Sequence, residues 1–260
     1  VYYMPLAANT DRLDKLTLNE NIHHIFDSDI SFVGSMYNEK GNFYDRIYDK
    51  LAPWARGYLD AIIAAQQNVY GMNFLEDMLS GTPDTNRILG ELMHVEPYTP
   101  NADGIETPAY TYANYFLARK VAQNERTALL SAVSEHFTTK LYTHNKTPDM
   151  PHVINQGAID FYDNMPYVFK CSKINLNITL RSIKNGIPLR CMDIMGAGGF
   201  LMTNFQADFL NHFTPDVDYV YFESKDDLIN KCDYYLKHDD ERMTIAENGH
   251  KKVQQFHNYR

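Results

Sequence analysis

Cysteine is scarce: Cys171, Cys191 and Cys232 are the only three in 260 residues. They are odd in number, widely spaced and without a C-x-x-C, so neither a disulfide framework nor a zinc-finger spacing is implied. A reducing, cytoplasmic setting is the expectation that follows. Long apolar runs are missing too. None approaches the ~18 residues a bilayer-spanning helix needs, and no secretory signal is visible, although a chain opening on Val1 reads as lacking its natural start. Cations are in the minority, 24 Lys and Arg against 33 acids for a net charge of −9. A general nucleic-acid surface needs a basic face, so none is expected. The ten histidines show no metal-ligand spacing, and no metal site is expected from them. The length suits one large or two modest domains.

Against this acidic background one stretch inverts. Between Asn164 and Met192 stand Lys170, Lys173, Arg181, Lys184 and Arg190, with no Asp or Glu. Asn175, Asn177 and Thr179 alternate with Ile174, Leu176, Ile178 and Leu180, the period of a strand. Asn185-Gly186-Ile187-Pro188 breaks the chain, and Pro188 reads as the first residue of a helix running to Ala197. Gly198-Gly199 then stops it, since a left-handed cap is cheap only for glycine. Gly196-Ala197-Gly198-Gly199 closes a helix instead of opening one, so it is no dinucleotide fingerprint. Strand, tight loop and helix N-terminus beside Arg190 make a cradle for a diphosphate, because unpaired amides and the helix dipole both favour negative charge. The five cations are expected to converge there.

These residues carry a family resemblance. N-G-I-P-L-R-C-M-D followed by I-M-G-A-G-G-F-L-M-T resembles the E-x7-E segment of the donor-binding domain of GT-B glycosyltransferases. More closely, SKINLNITLRSIKNGIPLR and DIMGAGGFLMTN resemble the CgeB-like (spore-maturation) glycosyltransferases. The resemblance is close over residues 170–253 and loose elsewhere. It implies that Asp193, the second acid of the motif, holds the ribose hydroxyls of a nucleotide. Asn185 stands where relatives carry the first acid, which addresses the donor sugar; hydrogen bonding is kept and a charge is lost. Lys173 and Arg190 are expected to neutralise the diphosphate, and Asn175, Asn177 and Arg181 are further candidate contacts.

The rest of the chain fits around this stretch. Val1–Leu6 reads as a short strand. Residues 29–35 form a buried strand ending at Gly34-Ser35, and ligands of open α/β sheets gather outside such ends. Gly34 is a candidate because close approach of a backbone needs the missing side chain, and Ser35 because the loop faces the donor phosphates in GT-B relatives. Residues 42–134 are expected to be helical, with Pro53 and Pro108 opening helices and Tyr112, Ala113, Phe116, Leu117, Val121, Leu129, Leu130 and Val133 as a buried stripe. Strands are expected near residues 136–144 and 153–161, and a short helix over 166–171. At the end, a strand over 218–222 precedes two helices. Ser224 with Asp227 caps the first of these; Met243, Ala246, Val253 and Phe256 are expected to bury from the second.

The reading is an α/β fold, a Rossmann-like parallel sheet of the GT-B C-terminal type with a large helical insertion. Residues 1–28 would end an N-terminal acceptor-binding half and its linker, and 29–260 would form the nucleotide-sugar-binding domain. No tightly bound cofactor is expected beyond a nucleotide-diphosphate sugar as donor. The acceptor stays open among saccharide, protein and lipid-linked glycan, and no catalytic base is assigned. A non-catalytic nucleotide- or sugar-binding assembly module is the alternative.

Overall fold

The computed structural model describes residues 6–99 and 104–259. The strand expected over Val1–Leu6 lies, for its first five residues, outside these, and Leu6 is in no strand. In chain order the elements are α1 (Thr10–Leu13), α2 (Glu20–Phe26), β1 (Ser28–Val33), α3 (Asp45–Tyr48), α4 (Pro53–Gln67), α5 (Pro83–Val95) and α6 (Pro108–Thr111). A π-helical stretch, Tyr112–Leu117, leads into α7 (Ala118–Ser134). Then come β2 (Thr139–Tyr142), β3 (Ile154–Gly157), α8 (Met165–Cys171), β4 (Ser172–Asn177), α9 (Leu189–Gly196), β5 (Leu201–Asn204), β6 (Val220–Phe222), α10 (Lys225–Lys237) and α11 (Asp239–Phe256). They form two compact units, one of Val1–Ser35, Thr127–Thr179 and Asn185–Arg260, the other of Met36–Arg126 and Leu180–Lys184.

The first unit is a six-stranded parallel sheet in the order β3-β2-β1-β4-β5-β6, a Rossmann-like α/β architecture. Parallel sheets carry helices on both faces, so their central strands are buried throughout. Ile30, Phe32, Ile174 and Leu176 are accordingly inaccessible, and so are Ser31, Asn175 and Asn177. The polar side chains are tolerated because they pair: the Ser31 hydroxyl donates to Asn175 Oδ1 at 2.9 Å.

Helix α9 begins at Leu189, with Pro188 as its N-cap rather than its first residue. It ends as the glycines require. Gly198 has φ +81°, and the N–H groups of Gly198 and Gly199 donate to Met195 O and Ile194 O, each at 2.9 Å. A Cβ on Gly199 would lie 2.6 Å from Phe169 O, and one on Gly196 2.6 Å from the Ala8 Cβ.

At the end of the unit the Ser224 hydroxyl caps α10 by accepting from Asp227 N–H at 3.1 Å, while Asp227 accepts from Glu223 N–H. Helix α11 buries Ala246 and Val253, but Met243 and Phe256 are 62% and 64% exposed, contrary to expectation. Only the stripe through Ile245, Ala246, Gly249 and Val253 is covered, and Gly249 sits tight against Asp218 O and Met195.

The second unit is helical, with no strand among its described residues. Pro53 starts α4, and Thr82 closes a capping box on α5. Leu59, Ile62, Ile63, Ile88, Leu92, Tyr112, Ala113, Phe116, Leu117 and Val121 make its core. The single long helix expected after Thr107 is instead broken in register by the π stretch. No helix among the described residues is long and apolar enough to cross a membrane.

Candidate functional site

The strand order reverses between β1 and β4: the chain moves outward through β2 and β3, then returns to lay β4, β5 and β6 on the other side. Ligands of open α/β sheets bind outside the carboxyl ends at such a switch point. Here that edge carries Gly34 and Ser35 after β1 and the N-terminus of α9 after β4.

Gly34 donates its N–H to Tyr142 O at 3.0 Å, holding the loop to β2. A Cβ added to it would lie 3.0 Å from Arg190 Nη2 and 3.2 Å from Arg190 Cζ. What approaches the bare Gly34 backbone is the Arg190 guanidinium, which also lies 5.6 Å from the centre of the Phe32 ring. Asp193 follows one turn further along α9. Burial lifts its carboxyl from 3.8 to about 6, with the Arg190 charge as the opposing influence. The N-cap residue Pro188 offers no side-chain cap to α9, and its carbonyl accepts the Cys191 N–H at 2.9 Å.

Polar groups of neighbouring loops frame this edge. The Ser35 hydroxyl donates to Asn145 Oδ1 at 3.3 Å, as does Thr143 Oγ1 at 3.1 Å. Asn204, at the end of β5, accepts the Thr179 N–H at 2.7 Å, and its buried Nδ2 has no partner among the described residues. Asp208 accepts the N–H of Gly186, so one amide of the 185–188 loop already faces an acid. Sequence reasoning misses Asn145, Asn204 and Asp208. Asn145 and Asn204 are polar residues at strand carboxyl ends, a signal legible only once the strands are bounded, and Asp208 meets the loop from 22 residues away.

The expected convergence of five cations is not found. Lys173 is the second residue of β4 and so sits at the amino edge of the sheet, where its ammonium pairs with Asp29 at 3.1 Å. Arg181 and Lys184 belong to the helical unit and are paired there with Glu125 at 2.7 Å and Glu76 at 2.9 Å. Lys170 is in the last turn of α8, its pKa lowered by burial. Arg190 alone of the five meets Gly34. The Asn177 amide donates to Thr179 Oγ1 and Thr203 Oγ1 at 2.8 and 3.0 Å, and Asn175 Nδ2 to Phe169 O at 3.0 Å. Both are engaged inside the sheet. Asn185 is exposed on the loop before α9. Of the candidates, the fold brings together Gly34, Arg190 and Asp193, with Ser35 and Asn185 on the adjoining loops.

The cysteines are buried, which pushes their thiols upward, Cys171 to about 11; none is a poised thiolate. The one group of three metal-donor side chains among the described residues, His23, Asp27 and Cys171, is at the amino edge, beside the first residues of β1 and β4.

Residues 115–260 match the model of the family described as "Glycosyl transferase-like", more than half of the chain, and the protein belongs to that family. No curated protein matches. Among solved structures, sucrose-phosphate synthase from Thermosynechococcus elongatus is 14% identical over 51% of this chain and 38% of that one, with a TM-score of 0.41. A glycosyltransferase from Rickettsia africae ESF-5 is 10% identical over 97% of this chain and 52% of that one, TM-score 0.44. Anabaena Alr3699/HepE, solved with UDP and glucose, is 10% identical over 88% and 95%, TM-score 0.42. The chain thus spans little more than a third of the first and about half of the second.

Proposed function

We propose that this protein provides the nucleotide-sugar-binding part of a CgeB-like glycosyltransferase of GT-B type, moving a sugar from a nucleotide-diphosphate donor to a saccharide, protein or lipid-linked glycan acceptor. The observation that carries the reading is the meeting of Arg190, from the family-matched region, with the bare backbone of Gly34 at the switch point. A guanidinium placed there is suited to the two oxygens of a phosphate, which it binds as a fork.

In this reading the diphosphate lies against Arg190 and the N-terminal end of α9, beside the Ser35 loop. Asp193 accepts hydrogen bonds from the ribose hydroxyls, and Asn185 contacts the donor sugar. As the bond from the sugar to the diphosphate breaks, negative charge grows on the leaving phosphate. Fixed donors aimed at that charge lower the barrier without a metal ion. Residues 29–260 are then the donor domain with a helical insertion over about 42–134, working in the cytoplasm, and 1–28 lead in from an acceptor-binding half that supplies the base. Calorimetry of this chain with nucleoside diphosphates and nucleotide sugars, beside Arg190→Ala and Asp193→Ala, tests it. Equal affinity in all three proteins would place the ligand elsewhere.

A further inference from the structure

We propose that His23, Asp27 and Cys171 bind one divalent transition-metal ion of the zinc class at the amino edge of the sheet, away from the nucleotide site and independent of that reading. One donor atom from each of the three lies within 4.8 Å of the others. Tetrahedral coordination with bonds of 2.0–2.3 Å sets ligand atoms about 3.3–3.8 Å apart, so small rotations of the two exposed side chains complete the geometry. A ring nitrogen, a carboxylate oxygen and a thiolate sulfur form a mixed set that suits zinc or cobalt better than magnesium or calcium.

The scaffold is fixed. His23 and Asp27 are four residues apart at the end of α2, with His23 Nδ1 and Asp27 Oδ1 already 2.8 Å from each other. Cys171 is the last residue of α8. Phe26 and Tyr167 stack at 6.1 Å between the two helices, and the following strands are tied by the Ser28 and Ser172 hydroxyls at 3.0 Å. The three donors therefore come from two segments locked to adjacent strands, the rigidity a metal site needs. They line a cavity of about 490 Å³ with Ser28, Asp29, Thr138 and Lys173, which gives an ion a way in and a water a fourth position. Lys173, the cation in that wall, is held by Asp29. On binding, the Cys171 thiol proton passes to solvent and the sulfur bonds the metal.

The test is titration of the reduced full chain with cobalt(II) chloride, followed by absorption. One equivalent should produce tetrahedral ligand-field bands with a thiolate-to-cobalt charge-transfer band, and zinc should abolish both. Cys171→Ser should remove the charge-transfer band. His23→Ala should weaken cobalt by more than about 100-fold, beyond the loss from an outer-shell change. Circular dichroism verifies the fold. Should Cys171→Ser not fold, His23→Ala and Asp27→Asn, at exposed positions, carry the test. A titration without a thiolate band, or one with unchanged affinity in both of these variants, overturns the proposal.

Discussion

Arg181 and Arg190 lie close in sequence and each is near an acid, yet they end in opposite circumstances. In the helical unit Arg181 is 5% exposed and Glu125 3%, joined at 2.7 Å, with the Tyr70 ring 4.4 Å from the guanidinium. Burial outweighs the arginine and holds Glu125 above the usual carboxylate range. In the sheet unit Arg190 crosses an open backbone and Asp193 is partly covered, its proton affinity raised by burial. The first pair is closed on itself and serves the fold; the second is at the carboxyl edge of the sheet, where the proposed donor site lies. An arginine's worth to a ligand is set by how completely its carboxylate partner encloses it, which counting cations along a chain cannot show.

The largest effect should come from opening the closed pair. Glu125→Ala leaves a buried guanidinium uncompensated and should lower unfolding free energy in urea by about 3–5 kcal/mol. Replacing both partners, as Glu125→Leu with Arg181→Met, should recover most of it, and nucleotide affinity of the folded protein should not change. If the single variant is as stable as the parent, the pair is not the structural one.

Asp193 should behave in the opposite way. Its carboxyl titrates at about 6 in the folded chain against an ordinary value of 3.8, so between those values the folded state holds a proton the unfolded state has released. This group's contribution to stability is greatest below about pH 4, falls as pH rises towards 6 and stays low above. Asp193→Asn should remove that decline, matching the parent near pH 4 and exceeding it by roughly 2–3 kcal/mol at about pH 8. It should also bind nucleotide more weakly, the trade expected where function keeps a costly group. Denaturation at the two pH values decides it, and a variant less stable at the higher one would contradict the assignment.

Arg190→Ala should weaken nucleoside diphosphate by about 10–100-fold, the worth of a charged hydrogen bond or two, with little change in the urea midpoint. Smallest of all, Lys173→Ala breaks a surface pair with Asp29 and should cost under about 1 kcal/mol, leaving nucleotide affinity as it was. A large loss of affinity in calorimetry would return Lys173 to the site.

Much of this is legible in the residues. Hydrophobic period and glycine punctuation locate β1, β4, α9 and its stop, and Gly34 is readable as a place of close approach. Which end of a strand a residue occupies is not. Lys173 and Asn177 are both on β4, yet four residues at about 3.3 Å each separate the two edges of the sheet. The alternation of Asn175 and Asn177 with apolar neighbours resembles a half-exposed strand, whereas β4 is central and its asparagines answer Phe169, Thr179 and Thr203 indoors. Arg181 misleads because its partner, Glu125, is 56 residues earlier, beyond any local pattern.

In the proposed donor site, the bond from Gly186 to Asp208 bears on selectivity. It gives the turn ahead of α9 its shape before any guest arrives, so docking there sacrifices less of the protein's freedom than a slack loop would. It also stations a resident carboxylate at one amide of that turn. In that site an incoming anion would contend with this occupant for Gly186, a contest that would steer it toward the helix end and the guanidinium.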